Sequence, residues 1–136
     1  MPINGNIGIT NNDLGSVEIK NGVFEDDILT FAGAGTILDG TILARDSVSL
    51  KLVPFVKGGA TNENGIPKAV MTYDVIAAGA GDESVRPAIG GQMSFQRLII
   101  DADGDNTNID KKVLDQLRDF TIIGLGEQEL NILDNQ

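Results

Sequence analysis

The densest set of side chains able to do chemistry is Asp101-Ala102-Asp103-Gly104-Asp105, three carboxylates at alternating positions. Carboxylates serve general acid–base catalysis without help from histidine. Oxygens at the first, third and fifth places are also how a calcium loop begins. The rest of that loop is missing. Its sixth place holds Asn106 rather than glycine, and its twelfth holds Lys112, a cation where a bidentate glutamate should close the shell. Asp, Gly and Asn are the residues that solvated turns use, so the segment reads as a strand-to-helix turn, and no metal or other cofactor is expected.

The other motifs weaken on the same inspection. Gly33-Ala34-Gly35 lacks the third glycine of a dinucleotide loop. Gly79-Ala80-Gly81-Asp82-Glu83-Ser84 lacks the Gly-Lys-Ser/Thr ending of a phosphate loop and sets two carboxylates where phosphate would sit. Ser47, Ser49, Ser84 and Ser94 have no histidine anywhere in the chain to act as base. Histidine and cysteine are both absent, which removes disulfides, thiolate nucleophiles and almost every transition-metal site. There is no tryptophan, and Tyr73 accompanies only five phenylalanines, so no stacking platform for sugars or single-stranded nucleic acid is visible. Catalytic residues are therefore expected to be none, the chain is not expected to be an enzyme, and protein–protein interaction remains by subtraction.

Charge narrows the partners. Twenty acidic residues face ten basic ones, for a net charge of -10. The bases are scattered from Lys20 to Arg118 without a run that could neutralise neighbouring phosphates. Neither nucleic acid nor an anionic membrane surface is an expected partner. The start, Met1-Pro2-Ile3-Asn4-Gly5, has no cationic region followed by an apolar run, and no stretch nears the ~18 apolar residues of a membrane span, so a cytoplasm-like compartment is expected.

The elements that must position these residues are mostly short strands. A chain of 136 residues with 17 glycines suits one β-rich domain. Residues 1–13 read as a flexible arm, with Ile7 and Ile9 on one face of an extended chain, and residues 14–136 as a single domain. Val17 and Ile19 alternate against Ser16, Glu18 and Lys20, and Asn21-Gly22 signals a hairpin turn. Ile28–Ala32 follows. The tetrapeptide Gly-Thr-Ile-Leu then occurs at 35–38 and 40–43, read as two short strands about an Asp39-Gly40 turn. Thr41–Arg45 and Leu50–Val53 form a second hairpin, 58–65 a surface loop, and Ala69–Ala77 one largely buried strand. After a loop at 79–83, strands are expected at 84–89 and 92–100, with Pro87 at an edge or bulge. Val113, Leu114, Leu117 and Phe120 at helical spacing predict one helix over about 109–120, capped by Asn108 or Asp110. Thr121–Leu125 is a last strand and 129–136 a tail.

From about Thr36 to Leu133 the chain resembles the head decoration proteins of tailed bacteriophages, the family of the lambda decoration protein. The residues carrying this are Gly40-Thr41-Ile42-Leu43-Ala44-Arg45, Lys51-Leu52-Val53-Pro54-Phe55, the glycine loop leading into Pro67-Lys68-Ala69-Val70-Met71-Thr72-Tyr73-Asp74-Val75, Gly79-Ala80-Gly81-Asp82, Val85-Arg86-Pro87-Ala88-Ile89-Gly90-Gly91, and Asp110-Lys111-Lys112 opening the helix that ends in Phe120. Their order and spacing over about a hundred residues are fairly specific. The resemblance implies a compact β-clip or β-tulip domain with a short helix. It also implies a homotrimer that docks on the major capsid protein at three-fold and quasi-three-fold sites outside the expanded head, so that the subunit is made in the host cytoplasm and ends in the virion. The segment 14–35 has no counterpart in that resemblance. Ile7, Ile9, Val17 and Ile19 are the expected capsid contacts, with Val17 and Ile19 equally suited to a core. A trimeric β-rich adhesin or receptor-binding module is the alternative, and it predicts exposed aromatics on a shared face.

Overall fold

The computed structural model describes Val17 and residues 19–126. The protein is mainly β with one helix, and its principal sheet curls into half a barrel. Among the described residues ten strands run in chain order: β1 (Lys20–Phe24), β2 (Asp27–Phe31), β3 (Gly35–Ile37), β4 (Ile42–Arg45), β5 (Leu52–Pro54), β6 (Pro67–Val70), β7 (Val75–Ala77), β8 (Gly81–Val85), β9 (Ala88–Ser94) and β10 (Ile122–Leu125). Helix α1 (Lys111–Arg118) lies between β9 and β10. The large sheet has the order β1-β9-β6-β4-β5-β2-β8, with β10 parallel to β9, while β3 and β7 form a separate pair.

Strand β4 shows why the body holds together. Its run Ile42-Leu43-Ala44 is apolar without interruption, the pattern of a strand buried on both faces. All three residues are inaccessible to solvent. Ile42 and Ala44 point into one cluster with Phe55, Val70, Met93, Val113 and Leu117, so α1 covers that face. Leu43 points the other way into a second cluster with Leu29, Met71, Ile37, Val75 and Ala77, so the β3–β7 pair covers the opposite face.

That cover is the continuation of another pair of strands. In the antiparallel β2–β8 pair, Asp27 stands opposite Val85 and Phe31 opposite Gly81. In the β3–β7 pair, Gly35 stands opposite Ala77 and Ile37 opposite Val75, which is the same offset. Between them Ala32-Gly33-Ala34 comes level with Ala78-Gly79-Ala80. One ribbon is thus bent over the sheet at an elbow where neither chain carries a large side chain, as glycine inside a strand weakens pairing and permits tight corners.

Several expectations hold in detail. Strands β4 and β5 form the second hairpin, with Leu43 opposite Pro54 and Arg45 opposite Leu52. The helix is capped by Asp110, whose Oδ1 accepts the Val113 N–H at 3.1 Å, and it buries Val113 and Leu117. It is shorter than the expected 109–120, because Ile109 precedes the cap and Phe120 lies in the turn that follows. Asp110 also accepts Lys57 Nζ at 2.7 Å. Asp110→Ala is expected to lower the urea midpoint without changing the slope, while Asp110→Asn, which still caps, retains most of the stability.

Other expectations are corrected. Asn21-Gly22 is no hairpin turn but part of β1. Lys20 pairs with Gln92 and Val23 with Gly90, so three steps on β1 oppose two on β9. Asn21 takes φ of 54° at this bulge, and a positive φ serves a bulge as well as a turn. The two Gly-Thr-Ile-Leu copies do flank a turn at Asp39-Gly40, but they enter different sheets. Ala69–Ala77 is two strands, because Met71 remains bonded to the main sheet through Thr41 while Asp74 Oδ1 accepts the Asp39 N–H and turns the chain into β7. The strands expected at 84–89 and 92–100 are instead β8 and β9, and Pro87 lies buried in the link between them with its carbonyl accepting Glu25 N–H. The expected arm at 1–13 and tail at 129–136 lie outside the described residues.

Candidate functional site

The acidic segment is a turn. Ile100 bridges to Asp105, Gly104 adopts φ of 73°, and the amides of Asp103 and Gly104 both donate to the Ile100 carbonyl. Its three carboxylates go separate ways. Asp105 accepts the Thr107 N–H, and the Thr107 side chain and amide hold its carboxyl below the usual value. Asp103 accepts Asn108 Nδ2 at 2.9 Å. Burial pushes the Asp101 carboxyl up. A catalytic pair would need two of them in one cleft, and among the described residues no three acidic side chains are grouped to hold a metal ion.

Asp27 and Arg45 form a partly buried ion pair that ties β2 to β4 across β5. Burial alone would raise the Asp27 carboxyl, but hydrogen bonds from Arg45 and the Ile28 N–H, with the Arg45 charge, outweigh it and hold it below the ordinary value. A depressed carboxylate contributes stability that is full above its unfolded value, about 3.9, and is lost as pH falls through the folded value. Asp27→Asn is therefore expected to cost about 1–3 kcal/mol at pH 7, since it strands a half-buried guanidinium. The gap between variant and parent should close below about pH 4 in urea titrations.

The surface offers exposed apolar side chains on structured backbone. At the β4–β5 tip, Val48 is 76% and Leu50 65% exposed. Asp46 fixes this tip by accepting the N–H groups of Val48 and Ser49, and Arg45 donates to the Leu50 carbonyl. Leu50 is held at φ of 64°, a conformation that costs an ordinary residue of order 1–3 kcal/mol. Ile76 is 74% exposed on the outer face of the β3–β7 cover. Sequence reasoning assigned Leu50 and Ile76 to strands and passed over Val48. Nothing in the local pattern shows that they point outward.

A groove of about 510 Å³ lies beneath the elbow. One wall is Phe31 to Ile37, and the other includes Val53, Pro54 and Val56 of the β5 region, with Asn64 and Asp101 also lining it. β3 lines it and no residue of β7 does, and among the described residues β3 pairs with β7 alone. Asn64 Oδ1 is buried without a hydrogen-bond partner among the described residues.

Of the four expected capsid contacts, the structure describes two, and both lie against the cluster under α1, the core role to which they were equally suited. Val17 is 1% exposed in the cluster under α1, with its carbonyl accepting Ser94 N–H, and Ile19 packs half-buried against the same cluster. Val17 is a core residue, and its side chain is not available to another protein. Ile7 and Ile9 lie outside the described residues. Phe24 and Tyr73 are the exposed aromatics among the described residues, and Tyr73 Oη accepts the Arg86 N–H. No protein-family model matches the chain, and no characterised protein matches it in sequence.

Proposed function

We propose that this chain is a capsid decoration protein that binds as a trimer to the outside of the expanded head of a tailed phage and stabilises it. The observation that carries this reading is the ordered series of resembling segments. They are also the segments that build the body: Gly40–Arg45 contains β4, Lys51–Phe55 contains β5, Pro67–Val75 opens with β6, Val85–Gly91 enters β9, and Asp110–Phe120 contains α1. The exposed apolar tip at Val48 and Leu50 supports it further, since a braced and solvent-facing pair, with Leu50 held in a strained conformation, suits docking better than packing.

The mechanism is linkage. A subunit that binds the expanded lattice and not its dissociated state stabilises the lattice by about 2.7 kcal/mol per site at a hundredfold excess over Kd. Trimeric attachment makes the second and third contacts intramolecular, which slows release, and closed symmetry stops the subunit polymerising alone. The test is co-sedimentation of the purified chain with expanded and unexpanded empty heads. Stoichiometric binding restricted to the expanded form supports the reading, and indifference to both overturns it. The exposed Phe24 and Tyr73 are the one feature that favours an adhesin instead, and binding to a glycan array with no binding to heads would select that alternative.

A further inference from the structure

The groove under the elbow combines four properties that bear on a ligand. It follows β3, which among the described residues has a strand neighbour on one side only, and such an edge presents backbone donors and acceptors to an added strand. Its floor and far wall are apolar through Phe31, Val53, Pro54 and Val56. Asp101 opens onto it with no hydrogen bond or ion pair to its carboxylate among the described residues, and no lysine or arginine lines it. Gly33 and Gly35 leave open space, since a Cβ at either would meet nothing within 4 Å.

We propose that this groove seats an extended, apolar segment of the lattice subunit carrying a lysine or arginine. The segment adds as a strand along β3 and sets its cation against Asp101. Charge selects this occupant over the chain's own ends. Residues 1–16 and 127–136 contain no lysine or arginine, and residues 127–136 carry three acidic groups, Glu127, Glu129 and Asp134. Like charges at an interface cost affinity, whereas opposite charges steer association and fix register. The inference deepens the decoration reading by assigning a recess to the lattice's share of the contact.

The test has two arms on the full chain. In the first, an acetylated, amidated Val-Thr-Val-Lys-Val-Thr peptide, and the same peptide with Glu for Lys, are titrated while backbone and Asn side-chain amide resonances are followed. The lysine peptide should shift residues 33–37 and the Asn64 amide group. The glutamate peptide should bind at least about tenfold more weakly, and Asp101→Lys or Val56→Arg, both at exposed positions, should weaken the lysine peptide to a similar degree. Shifts elsewhere, no shifts, or equal binding of the two peptides overturns the groove. In the second arm the same variants are sedimented with expanded heads. Variants that hold the head as tightly as the parent overturn the groove and leave decoration standing. A parent that ignores heads while the lysine peptide still shifts residues 33–37 overturns decoration and leaves the groove standing. Self-association of the parent that Val56→Arg disperses also overturns the proposal, because the occupant is then a second copy.

Discussion

Gly40→Ala is expected to cost at least about 3 kcal/mol, enough to leave much of the chain unfolded at 37 °C. Two independent effects coincide at this residue. Its φ of 94° is one that residues with a side chain rarely adopt, and a Cβ there would stand 2.1 Å from the Arg97 carbonyl oxygen, a backbone atom that cannot swing aside. Relief by backbone movement is blocked on both sides, since Gly40 N–H donates to the Met71 carbonyl at 2.7 Å and its own carbonyl accepts Ile99 N–H at 2.9 Å. Gly33→Ala is the control. There φ is not in the strained range and nothing lies within 4 Å of the added carbon, so its urea midpoint should remain near that of the parent or rise slightly.

Phe55→Ala is the other large effect, a loss of about 3–5 kcal/mol. Phe55 is the largest fully buried side chain, and it fills the cluster between the sheet and α1. Its backbone is fixed by donation to the Ile42 carbonyl at 3.0 Å. Removing the ring leaves a cavity that a closely braced strand cannot collapse to fill. Phe24→Ala, on an exposed edge residue, should cost less than about 1 kcal/mol. Urea unfolding of both variants measures the contrast. Near-equal losses would mean that Phe55 is not the centre of the core.

What the sequence revealed and concealed has a physical pattern. Local signals were reliable where one side chain decides the outcome: Asp110 at the helix start, the alternating polar and apolar faces of α1, and Asp46 in the turn that closes β4 on β5. They misled where a local device has two uses. Asn21-Gly22 offers the same positive φ to a hairpin and to a bulge, and only the partner strand β9 decides between them. The stretch Ala69–Ala77 is apolar because two strands on opposite sides of one core are each buried, and apolarity alone does not reveal the crossing at Met71–Asp74. Val17 and Ile19 illustrate a third difficulty, since alternation identifies an inward face without saying what lies inward. The groove was invisible for the same reason. Its walls come from 31–37, Val53, Pro54, Val56, Asn64 and Asp101, and no motif joins segments so far apart in the chain.

The bent ribbon also fastens the chain topologically. Residues 27–37 lie alongside 75–85 in one constant register, so everything from Leu38 to Asp74 is a lobe whose two ends are zipped together. The exposed stretch around Gly58–Glu63 lies near the middle of that lobe. A peptide spliced in there, or a single protease cut, leaves both halves of the zip and both buried clusters on pieces that remain paired. The zip, and not the connection through this loop, is what holds the two halves of the body together.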